Sequence, residues 1–407
     1  MTAPIADRRA HRDTHLFSTA HEFDAEGPEA FDDAHRIFAD LRGRCPVAHT
    51  TDLGGFWLFT RYQDVADAIG DPDLYTTAVQ NVVPHVATTG RRPPLHLDPP
   101  EHTPYRRAIS PLFRRERMEH WGPIVRKIAD DLFRPLTDRP GADICRDYSY
   151  HLPVHVLAEF FLIPDDLAVR IRKVGAEFNS ALQTRDMDAM QKQSQFLYDL
   201  AQGIIDERKE RPLDPGVCPT SALLAARDKA GDPLPEPLIL GTIRQLLVVG
   251  IIAPTTFLGS AAVHFCRHPD HFDMMRDAPD RIPEIAEELL RLYTPYRGFA
   301  RTPTREVSVG GRTIRADEPV ALAFAAANRD PEVYADPDEF RPGRGGPPNL
   351  AFGRGPHQCA GAPLARLMIH AALEAFAKNC RGFEAAGDTP MTAWPEYGPL
   401  SVPVRFR

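Results

Sequence analysis

Forty prolines are spread along the 407 residues of this chain, and they limit the length of any uninterrupted helix or central strand. Proline fixes φ and lacks an amide hydrogen, so it ends helices and defines turns. Within residues 101–208, where apolar residues recur with a helical period, such stops occur at Pro123, Pro135, Pro153 and Pro164. The pattern predicts many helices of moderate length with well-defined connections.

The composition is that of an ordinary globular protein. Hydrophobic residues make up 43% and charged residues 26% of the chain, and the formal net charge is −8. A net acidic chain lacks the basic footprint that phosphate binding needs, so nucleic-acid binding is not expected. No apolar run approaches the roughly 18 residues of a membrane span, and the polar N-terminus is unlike a secretory signal. We therefore expect no membrane association, a cytoplasmic location, a mobile arm over residues 1–20 and a single domain over 21–407.

Hydrophobic periodicity predicts a mainly α fold with a smaller β part. Residues 236–268 form one long apolar, helix-like stretch that Pro254 interrupts. Aromatic residues over 55–60 favour a strand, and the alternation over 305–325 around Gly310 predicts a small hairpin. Residues 76–97 are typical of a long irregular loop, and such loops in compact domains are often functional.

The most specific pattern lies at residues 352–361, which read FGRGPHQCAG. Its glycines allow a tight turn that holds the thiolate of Cys359 out of the following helix, with backbone N–H groups directed at the sulfur. A thiolate held in this way can ligate haem iron and favour O–O cleavage, and His357 and Arg354 could neutralise the haem propionates. For a glycine-flanked cysteine alone, a turn with a buried free thiol is the commoner explanation. The full ten-residue spacing reverses that preference because of the family signature that it resembles.

The spacing F-x-x-G-x-x-x-C-x-G resembles the haem-binding signature of the cytochrome P450 family, and every fixed position is filled here. The resemblance implies the family's fold, a triangular prism of helices with small sheets, and a haem b cofactor with Cys359 as the iron ligand. It also implies a monooxygenase, in which the haem carries out oxygen insertion from O2. The haem contacts that it assigns are His102, Arg106, Arg301, Phe352, Gly353, Arg354, His357, Cys359 and Gly361.

Other segments follow the same family pattern. Glu288 and Arg291 form an E-x-x-R pair on one helix face. In the family this pair is a buried structural lock with the arginine of a downstream F-R-P segment, here Arg341. His102 and Arg106 lie one turn apart at the start of a helix, and the resemblance places them and Arg301 against the haem propionates. The ordinary alternative for Arg106 and Arg301 is that each side chain is simply exposed to solvent.

The helix that should cross the distal haem face departs from the family pattern. The family has A/G-G-x-D/E-T-T/S there, where the acid and the alcohol relay protons, whereas residues 249–256 of this chain read VGIIAPTT. Counting back from the His268-Pro269 pair, Gly250 keeps the glycine, Ile252 takes the acid position and Ala253 takes the alcohol position. Both proton-relay side chains are then absent.

Pro254 is expected to act on the backbone of this helix. It cannot donate to the carbonyl of Gly250, so we expect a kink that frees this carbonyl to hold water or a substrate donor. Thr255 and Thr256 could support such a water; helix capping or back-bonding is the alternative for both. The predicted catalytic region is Gly250, Ile252, Ala253, Pro254, Thr255 and Thr256.

Two minor branches of the family also place proline after the altered alcohol position. Peroxide-using fatty-acid hydroxylases have Arg-Pro, whose guanidinium binds the substrate carboxylate, and a branch that O-demethylates guaiacol-type aromatics has Glu-Pro. Ala253 supplies neither charge, and the Ile252-Ala253 pair widens and dries the pocket. We therefore expect a small, mostly apolar aromatic substrate, and O-demethylation of a methoxyphenol of the guaiacol or 4-alkylguaiacol type to a catechol and formaldehyde.

Rough alignment with the family predicts the pocket wall, although apolar side chains on helices more often belong to the plain core. Asn81 or Tyr296 could bond a phenol hydroxyl in an otherwise apolar pocket. The predicted substrate contacts are Asn81, Val82, Phe178, Val248, Val249, Ala253, Tyr296 and Phe299.

The chain ends soon after the haem motif and leaves no room for a fused reductase, so we expect a separate ferredoxin or flavin reductase to supply electrons. A basic proximal face would steer an acidic partner; it would include Arg106, Arg107, Arg114, Arg115 and Arg354. Three alternatives stay open. They are a peroxide-using fatty-acid hydroxylase, a non-enzymatic haem-thiolate protein and a tailoring hydroxylase of a secondary metabolite.

Overall fold

The computed structural model describes most of the chain. It covers residues 18–26, 30–84, 90–163 and 186–407, with 167, 170, 171, 173, 174, 177, 181 and 184 between them. The expected arm over 1–20 therefore lies almost wholly outside the described residues. None of the described helices is both long and apolar enough to cross a membrane.

Helices dominate the described part of the chain, as expected. In chain order the α-helices are α1 (Asp33–Arg44), α2 (Tyr62–Gly70), α3 (Thr103–Ile109), α4 (Arg115–Phe133), α5 (His151–Phe160), α6 (Met187–Glu210), α7 (Pro219–Ala225), α8 (Glu236–Leu246), α9 (Ile252–Arg267), α10 (Pro269–Asp277), α11 (Ile282–Leu292), α12 (Phe324–Ala327) and α13 (Ala362–Asn379). A π-helical turn, Ile144–Ser149, precedes α5.

The β part consists of three small sheets in the described residues. The strands are β1 (Val47–Thr50), β2 (Phe56–Phe59), β3 (Tyr75–Thr76), β4 (Ala142–Asp143), β5 (Phe299–Pro303), β6 (Val307–Val309), β7 (Arg312–Ile314), β8 (Val320–Leu322), β9 (Phe383–Ala385) and β10 (Pro403–Phe406). The sheet orders are β1-β2-β8-β5-β3, β4-β10-β9 and β6-β7. The last pair is the predicted hairpin, and Gly310 and Gly311 turn it with positive φ.

The core is built around α9 and α13, which pack on each other. Helix α9 is buried over most of its length because α13 and the π-helical turn cover it on different sides. At Gly259 of α9, an added Cβ would lie 2.6 Å from the Cys145 sulfur, so only glycine permits this approach. Since Cys359 directly precedes α13, this packing sets the position of α9 relative to the thiol.

Two of the predicted proline stops were wrong. Pro123 lies inside α4 and Pro153 inside α5. Pro123 is exposed, so water can satisfy the carbonyl that its missing N–H leaves free. Pro153 is the third residue of α5, within the first turn, where helical amides lack an intrahelical partner. Pro135 does end α4, in the 3-10 turn Arg134–Leu136, and Pro164 lies outside the described residues.

The long apolar stretch is interrupted, as expected, but the interruption is a break at residues 247–251 between two helices and not a kink at Pro254. Residues 247–251 between α8 and α9 form turns, in which the Ile251 N–H donates to the Val248 carbonyl at 3.2 Å. Pro254 is the third residue of α9 and cannot donate back to Gly250. An added Cβ at Gly250 would lie 2.8 Å from Leu157 of α5. Pro254 is thus accommodated in the first turn of α9, where helical amides lack an intrahelical partner.

Candidate active site

The loop that carries Cys359 is shaped by glycines at positions that other residues rarely occupy. Gly353 and Gly355 have φ of +63° and +70°. A Cβ at Gly355 would also lie 2.9 Å from the Ile69 carbonyl of α2. The turn closes when the Cys359 N–H donates to the Phe352 carbonyl at 2.9 Å. Cys359 is thereby fixed three residues before α13 begins.

The sulfur of Cys359 lies among groups that favour its thiolate. Burial raises the pKa of the Cys359 thiol, while the N–H groups of Gly361 and Ala362 and the charges of Arg106 and Arg366 oppose that rise. Cys359 is nevertheless the exposed one of the six free cysteines. The two observations agree if protein surrounds the sulfur on most sides and leaves one accessible face. Such a face is what a large planar ligand of the sulfur requires.

A basic cluster lies beside this loop. The rings of His102 and His357 meet edge to face, with centroids 4.8 Å apart. His357 Nε2 lies 3.1 Å from Oδ1 of Asp98, and the charges of Arg106 and Arg301 also act on His357. Arg106 donates to the Gln358 carbonyl, next to Cys359. Three segments of the chain therefore bring these four predicted haem-contacting residues together.

The basic cluster contains more side chains that can carry a positive charge than side chains that can carry a negative one. Burial lowers the pKa of Arg301 to about 10, with the Asp98 charge acting against that shift. Burial, followed by the charges of His357 and Arg106, lowers the pKa of His102 to about 4. The Nε2 of His102 is buried and has no hydrogen-bond partner in the described structure. One carboxylate, Asp98, thus faces two arginines and two histidines, and the cluster is suited to further carboxylates.

Two other predicted haem contacts lie apart from that cluster. Arg354 is exposed, and its charge acts on the hydroxyl of Tyr62. Phe352 is half-buried, and the guanidinium of Arg366 lies 4.5 Å from its ring centroid. The structure brings Phe352 to the sulfur side of the loop and Arg354 to the protein surface.

The predicted catalytic region lies at the start of α9. Ile252 and Ala253 are half-buried and apolar, and Pro254 is buried. The hydroxyl of Thr255 donates to the carbonyls of Ile251 at 2.8 Å and Ser149 at 3.1 Å. The hydroxyl of Thr256 lies 3.2 Å from the carbonyls of both Ile252 and Ala253. Both threonines thus back-bond to the helix, which was the alternative to their supporting a water.

Of the predicted substrate contacts, Tyr296 lies close enough to Cys359 for the charge of the thiolate to act on it, and Phe299 packs against Tyr296. Burial raises the pKa of Tyr296, and the charges of Glu396 and Cys359 add to that rise. The ring centroids of Tyr296 and Phe299 are 4.4 Å apart, and both residues are half-buried. They form an aromatic wall that keeps accessible surface in the neighbourhood of the thiol.

The remaining predicted contacts are placed differently. Asn81 is buried, and its Oδ1 lies 2.7 Å from His96 Nε2, so its side chain is already engaged within the protein. Val82 and Val248 are half-buried, and Val249, in the break before α9, is 48% exposed. Phe178 lies outside the described residues.

Comparison with known proteins decides the family. A family model described as Cytochrome P450 matches residues 177–393 of this chain. Mycinamicin IV hydroxylase/epoxidase from Micromonospora griseorubida is 32% identical over 396 residues, which span 92% of this chain and 97% of that protein. The chain belongs to the cytochrome P450 family.

Two further proteins are similar to this P450 over most of its length. Nocardicin C N-oxygenase from Nocardia uniformis subsp. tsuyamanensis is 31% identical over 92% of this chain and 95% of its own length. A solved structure of a mutant of P450 EryK in complex with erythromycin B superposes with a TM-score of 0.79. It is 28% identical and covers 93% of this chain and 98% of that one. The fold and the enzyme class, a haem-dependent monooxygenase, are therefore confirmed.

The residues of this P450 fit the haem b that its family uses. Cys359 offers an accessible sulfur that two backbone N–H groups stabilise as a thiolate. The basic cluster can accept two propionate carboxylates, and His102 has an unpartnered nitrogen for one of them. The Cys359 sulfur therefore suits the haem iron, and the basic cluster suits the haem propionates.

The structural lock of the P450 fold is present, but with a different arginine from the predicted Arg341. Arg291 donates to both oxygens of Glu288, at 2.9 and 2.8 Å, and Arg344 Nε donates to the same carboxylate at 3.2 Å. Arg341 contributes only its backbone N–H, at 2.9 Å, while its side chain is exposed and pairs with Glu339. The prediction was wrong because Gly343, with φ of +80°, turns the chain between the two arginines.

Asp98 has a role that was not predicted. Hydrogen bonds from His357, Thr76 and Thr77 hold the pKa of its carboxyl below the usual range, although burial by itself would raise it. The sequence feature that could have suggested this role was the carboxylate of Asp98, one helical turn before His102. That spacing alone could not show that His357, 259 residues later, would close the pair.

Proposed function

We propose that this P450 is a tailoring monooxygenase that hydroxylates a secondary metabolite, rather than an O-demethylase of simple methoxyphenols. The observation that carries this proposal is similarity over about nine tenths of the chain to enzymes named for such work. They include mycinamicin IV hydroxylase/epoxidase, nocardicin C N-oxygenase and 6-deoxyerythronolide B hydroxylase. The substrates for which these relatives are named are larger than the small aromatic that was first expected.

The break between α8 and α9 supports a substrate of that size. Val249 is one of the few large hydrophobic residues that the described structure leaves exposed, although it lies next to the predicted catalytic region. Exposed apolar surface at such a place is typical of a ligand site. Val248, Gly250, Ile252 and Ala253 keep partial exposure along the same segment. An elongated molecule could lie along this segment with one end near Cys359.

Each part of the chain then has a defined task. Haem with a thiolate ligand supplies the activation of O2 and the oxygen transfer. Cys359 would hold the haem through its sulfur, and the basic cluster would hold the haem carboxylates. Ile252 and Ala253 exclude water from the substrate side. Because neither carries a titratable group and both threonine hydroxyls are engaged in the helix, we infer that water or a substrate group delivers the protons.

Electrons are proposed to come from a separate ferredoxin or flavin reductase, and the cytoplasm is the proposed location. The basic face suggested for docking has support in the exposure of Arg107, Arg114 and Arg115. Arg115 is paired with Glu119 at 2.8 Å, which reduces its contribution.

O-demethylation of an aryl methyl ether is the second candidate. The closely packed, tilted rings of Tyr296 and Phe299 and the apolar Ile252-Ala253 pair favour a flat aromatic group close to Cys359. A methoxyaryl group at the end of a larger molecule would satisfy both candidates.

An optical titration of the ferric holoprotein separates the two candidates. We expect mycinamicin IV and nocardicin C to give spin-state shifts at lower concentration than guaiacol or 4-propylguaiacol. Val249→Phe should weaken binding of the large ligands at least tenfold and leave guaiacol binding unchanged, with Val217→Phe, an exposed valine elsewhere, as the matched control. Shifts with the guaiacols alone would overturn the tailoring proposal.

A further inference from the structure

Three histidines lie close together where α9 ends and α10 begins. His264 is in the last turn of α9, His268 separates the two helices, and His271 is the third residue of α10. The rings of His268 and His271 are stacked, with centroids 5.0 Å apart. Since α9 has 16 residues, its two ends are about 22 Å apart. The histidines are therefore remote from the predicted catalytic region at the other end of this helix.

Asp270 completes a set of metal-ligand side chains with two of these histidines. One side-chain atom each of His268, Asp270 and His271 lies within 4.8 Å of the other two, and no other such group of three occurs among the described residues. Nε2 of His271 is 3.6 Å from Oδ2 of Asp270. In a tetrahedral zinc site, bonds of about 2.0–2.1 Å place neighbouring ligand atoms about 3.4 Å apart. One edge of such a site is therefore already close to its required length.

His264 holds the ring of His271 in place from inside the protein. His264 is 2% exposed; its Nδ1 lies 2.9 Å from the Tyr293 hydroxyl, and its Nε2 lies 3.0 Å from Nδ1 of His271. The ring of Phe340 also packs on His271, with centroids 4.5 Å apart. A metal-binding histidine commonly has its second nitrogen fixed by such a hydrogen bond. Nδ1 of His271 is thus engaged, and Nε2 is the nitrogen available to a metal.

The ordinary roles of surface residues at a helix start do not explain this arrangement. His268 is the N-cap of α10, but its side chain makes no capping hydrogen bond. Asp270 lies in the first turn of α10, where a negative charge is favourable, but that effect does not require two histidines beside it. Arg267 pairs with Asp32 at 2.8 Å, so its positive charge is already balanced. Two imidazoles and one carboxylate therefore converge at the surface, where a hydrated cation can reach them.

The chemistry of these ligands selects a class of metal. Imidazole nitrogen suits zinc, copper, iron and nickel, whereas magnesium and calcium prefer oxygen ligands. Three protein ligands leave the fourth tetrahedral position of zinc for water. His268 and Asp270 are exposed, and exposed side chains change rotamer readily, so they can approach the ion by the small distance that remains.

We propose that His268, Asp270 and His271 bind a divalent transition metal ion of the zinc type, with water as the fourth ligand. The ion joins the end of α9 to the first turn of α10, and His264 positions His271 for it. Because one coordination position is open to water, the ion exchanges with solvent. The site is separate from the haem and goes beyond the proposed function, so neither depends on the other.

Zinc binding to the ferric holoprotein, first stripped of other metal ions with EDTA, tests the inference. Equilibrium dialysis against Zn²⁺ with Mg²⁺ in excess should give one tightly bound zinc per chain, because Mg²⁺ does not compete for imidazole. His268→Gln and Asp270→Asn should each weaken this binding at least tenfold, because each removes one of three ligands. His120→Gln and Asp280→Asn, at exposed positions elsewhere, should leave it unchanged. Both ligand substitutions are at exposed side chains, so the haem spectrum of the zinc-free variants should stay that of the unsubstituted protein.

X-ray absorption at the zinc edge identifies the ligands of the bound ion. We expect two imidazole nitrogens at about 2.0–2.1 Å and no sulfur at about 2.3 Å. A zinc–sulfur distance would place the ion at a cysteine and overturn the inference. Equal zinc affinity in the ligand variants and the controls, or no zinc retained by any of them, would overturn it as well. The test uses neither substrate nor turnover, so its outcome is independent of the tailoring proposal.

Discussion

Arg344, and not Arg341, places its guanidinium against Glu288, with 3.2 Å between Nε and Oε1. The side chains of Glu288 and Arg344 are 4% and 10% exposed, whereas that of Arg341 is 48% exposed. Although burial raises the pKa of Glu288, hydrogen bonds from Arg291 and the Arg341 backbone and the nearby positive charges lower it overall. The carboxylate is therefore charged and fully engaged in the folded protein.

This asymmetry predicts different costs for two neighbouring substitutions. Arg344→Ala leaves a buried carboxylate partly unpaired and should lower the free energy of unfolding by about 3 kcal/mol. Arg341→Ala keeps the backbone contact and should change it by less than about 0.5 kcal/mol. Urea unfolding of both holoproteins measures the difference. Equal effects would mean that the lock does not depend on Arg344.

Cys359 should be the cysteine on which haem ligation depends. Cys359→Ser removes the thiolate, so the variant should lose the thiolate-type spectrum of the ferrous–CO complex. Cys266→Ser, a half-buried cysteine in α9, should keep it, with at most a modest loss of stability. A normal ferrous–CO spectrum in Cys359→Ser would contradict the assigned ligand.

The basic cluster and Arg354 should contribute unequally to haem retention. Arg301 is buried beside Asp98 and His357, and Arg354 is exposed. We expect Arg301→Gln to increase the rate of haem transfer to apomyoglobin about tenfold, because one propionate then lacks a charged donor. Arg354→Gln should change it less than twofold. A larger increase of the transfer rate in Arg354→Gln than in Arg301→Gln would show that Arg354 contacts a haem propionate.

His264 should make stability depend on pH. Burial, followed by the charges of His268 and His271, lowers the pKa of His264 to about 2, and its Nδ1 lies 2.9 Å from the Tyr293 hydroxyl. The folded state therefore keeps it neutral, while the unfolded state binds a proton below about pH 6.5. The unfolding free energy should fall by up to about 1.4 kcal/mol per unit as pH decreases below 6.5.

Urea unfolding between pH 5 and 7 measures this slope. His264→Gln can keep a hydrogen bond to Tyr293 and should reduce the slope by the contribution of one proton, whereas His120→Gln, at an exposed position, should leave it unchanged. An unchanged slope in His264→Gln would assign the pH dependence to other groups.

The apolar pair at the start of α9 should control proton delivery more than binding. Ile252→Asp with Ala253→Thr introduces the acid and alcohol that the family uses at these positions. We expect the fraction of electrons recovered in product to change at least twofold, with substrate Kd changed less than threefold. The same product yield per electron would show that protons reach the site by a route independent of these residues.

Cys359 could be predicted because its determinants are contiguous. The glycines at 353 and 355, the cysteine and the start of α13 all act within one loop, and a sequence pattern of that length specifies the backbone conformation. An interruption of the long apolar stretch was also predictable from Pro254, although the break itself lies upstream of that proline, at residues 247–251. The family's regular spacing likewise placed Glu288 and Arg291 on one helix face.

Other features depended on contacts between distant segments. Asp98 pairs with His357 across 259 residues, and Arg92 reaches Gln245 across 153. The turn at Gly343 determines that Arg344, and not Arg341, faces Glu288. The hydrogen bonds of the Thr255 and Thr256 hydroxyls to helix carbonyls likewise depend on the packing of α9. The mainly α fold and the loop that carries Cys359 were predictable because local backbone chemistry governs them. Which charges meet could be seen only in the folded protein, because the pairing of side chains depends on how separate elements pack.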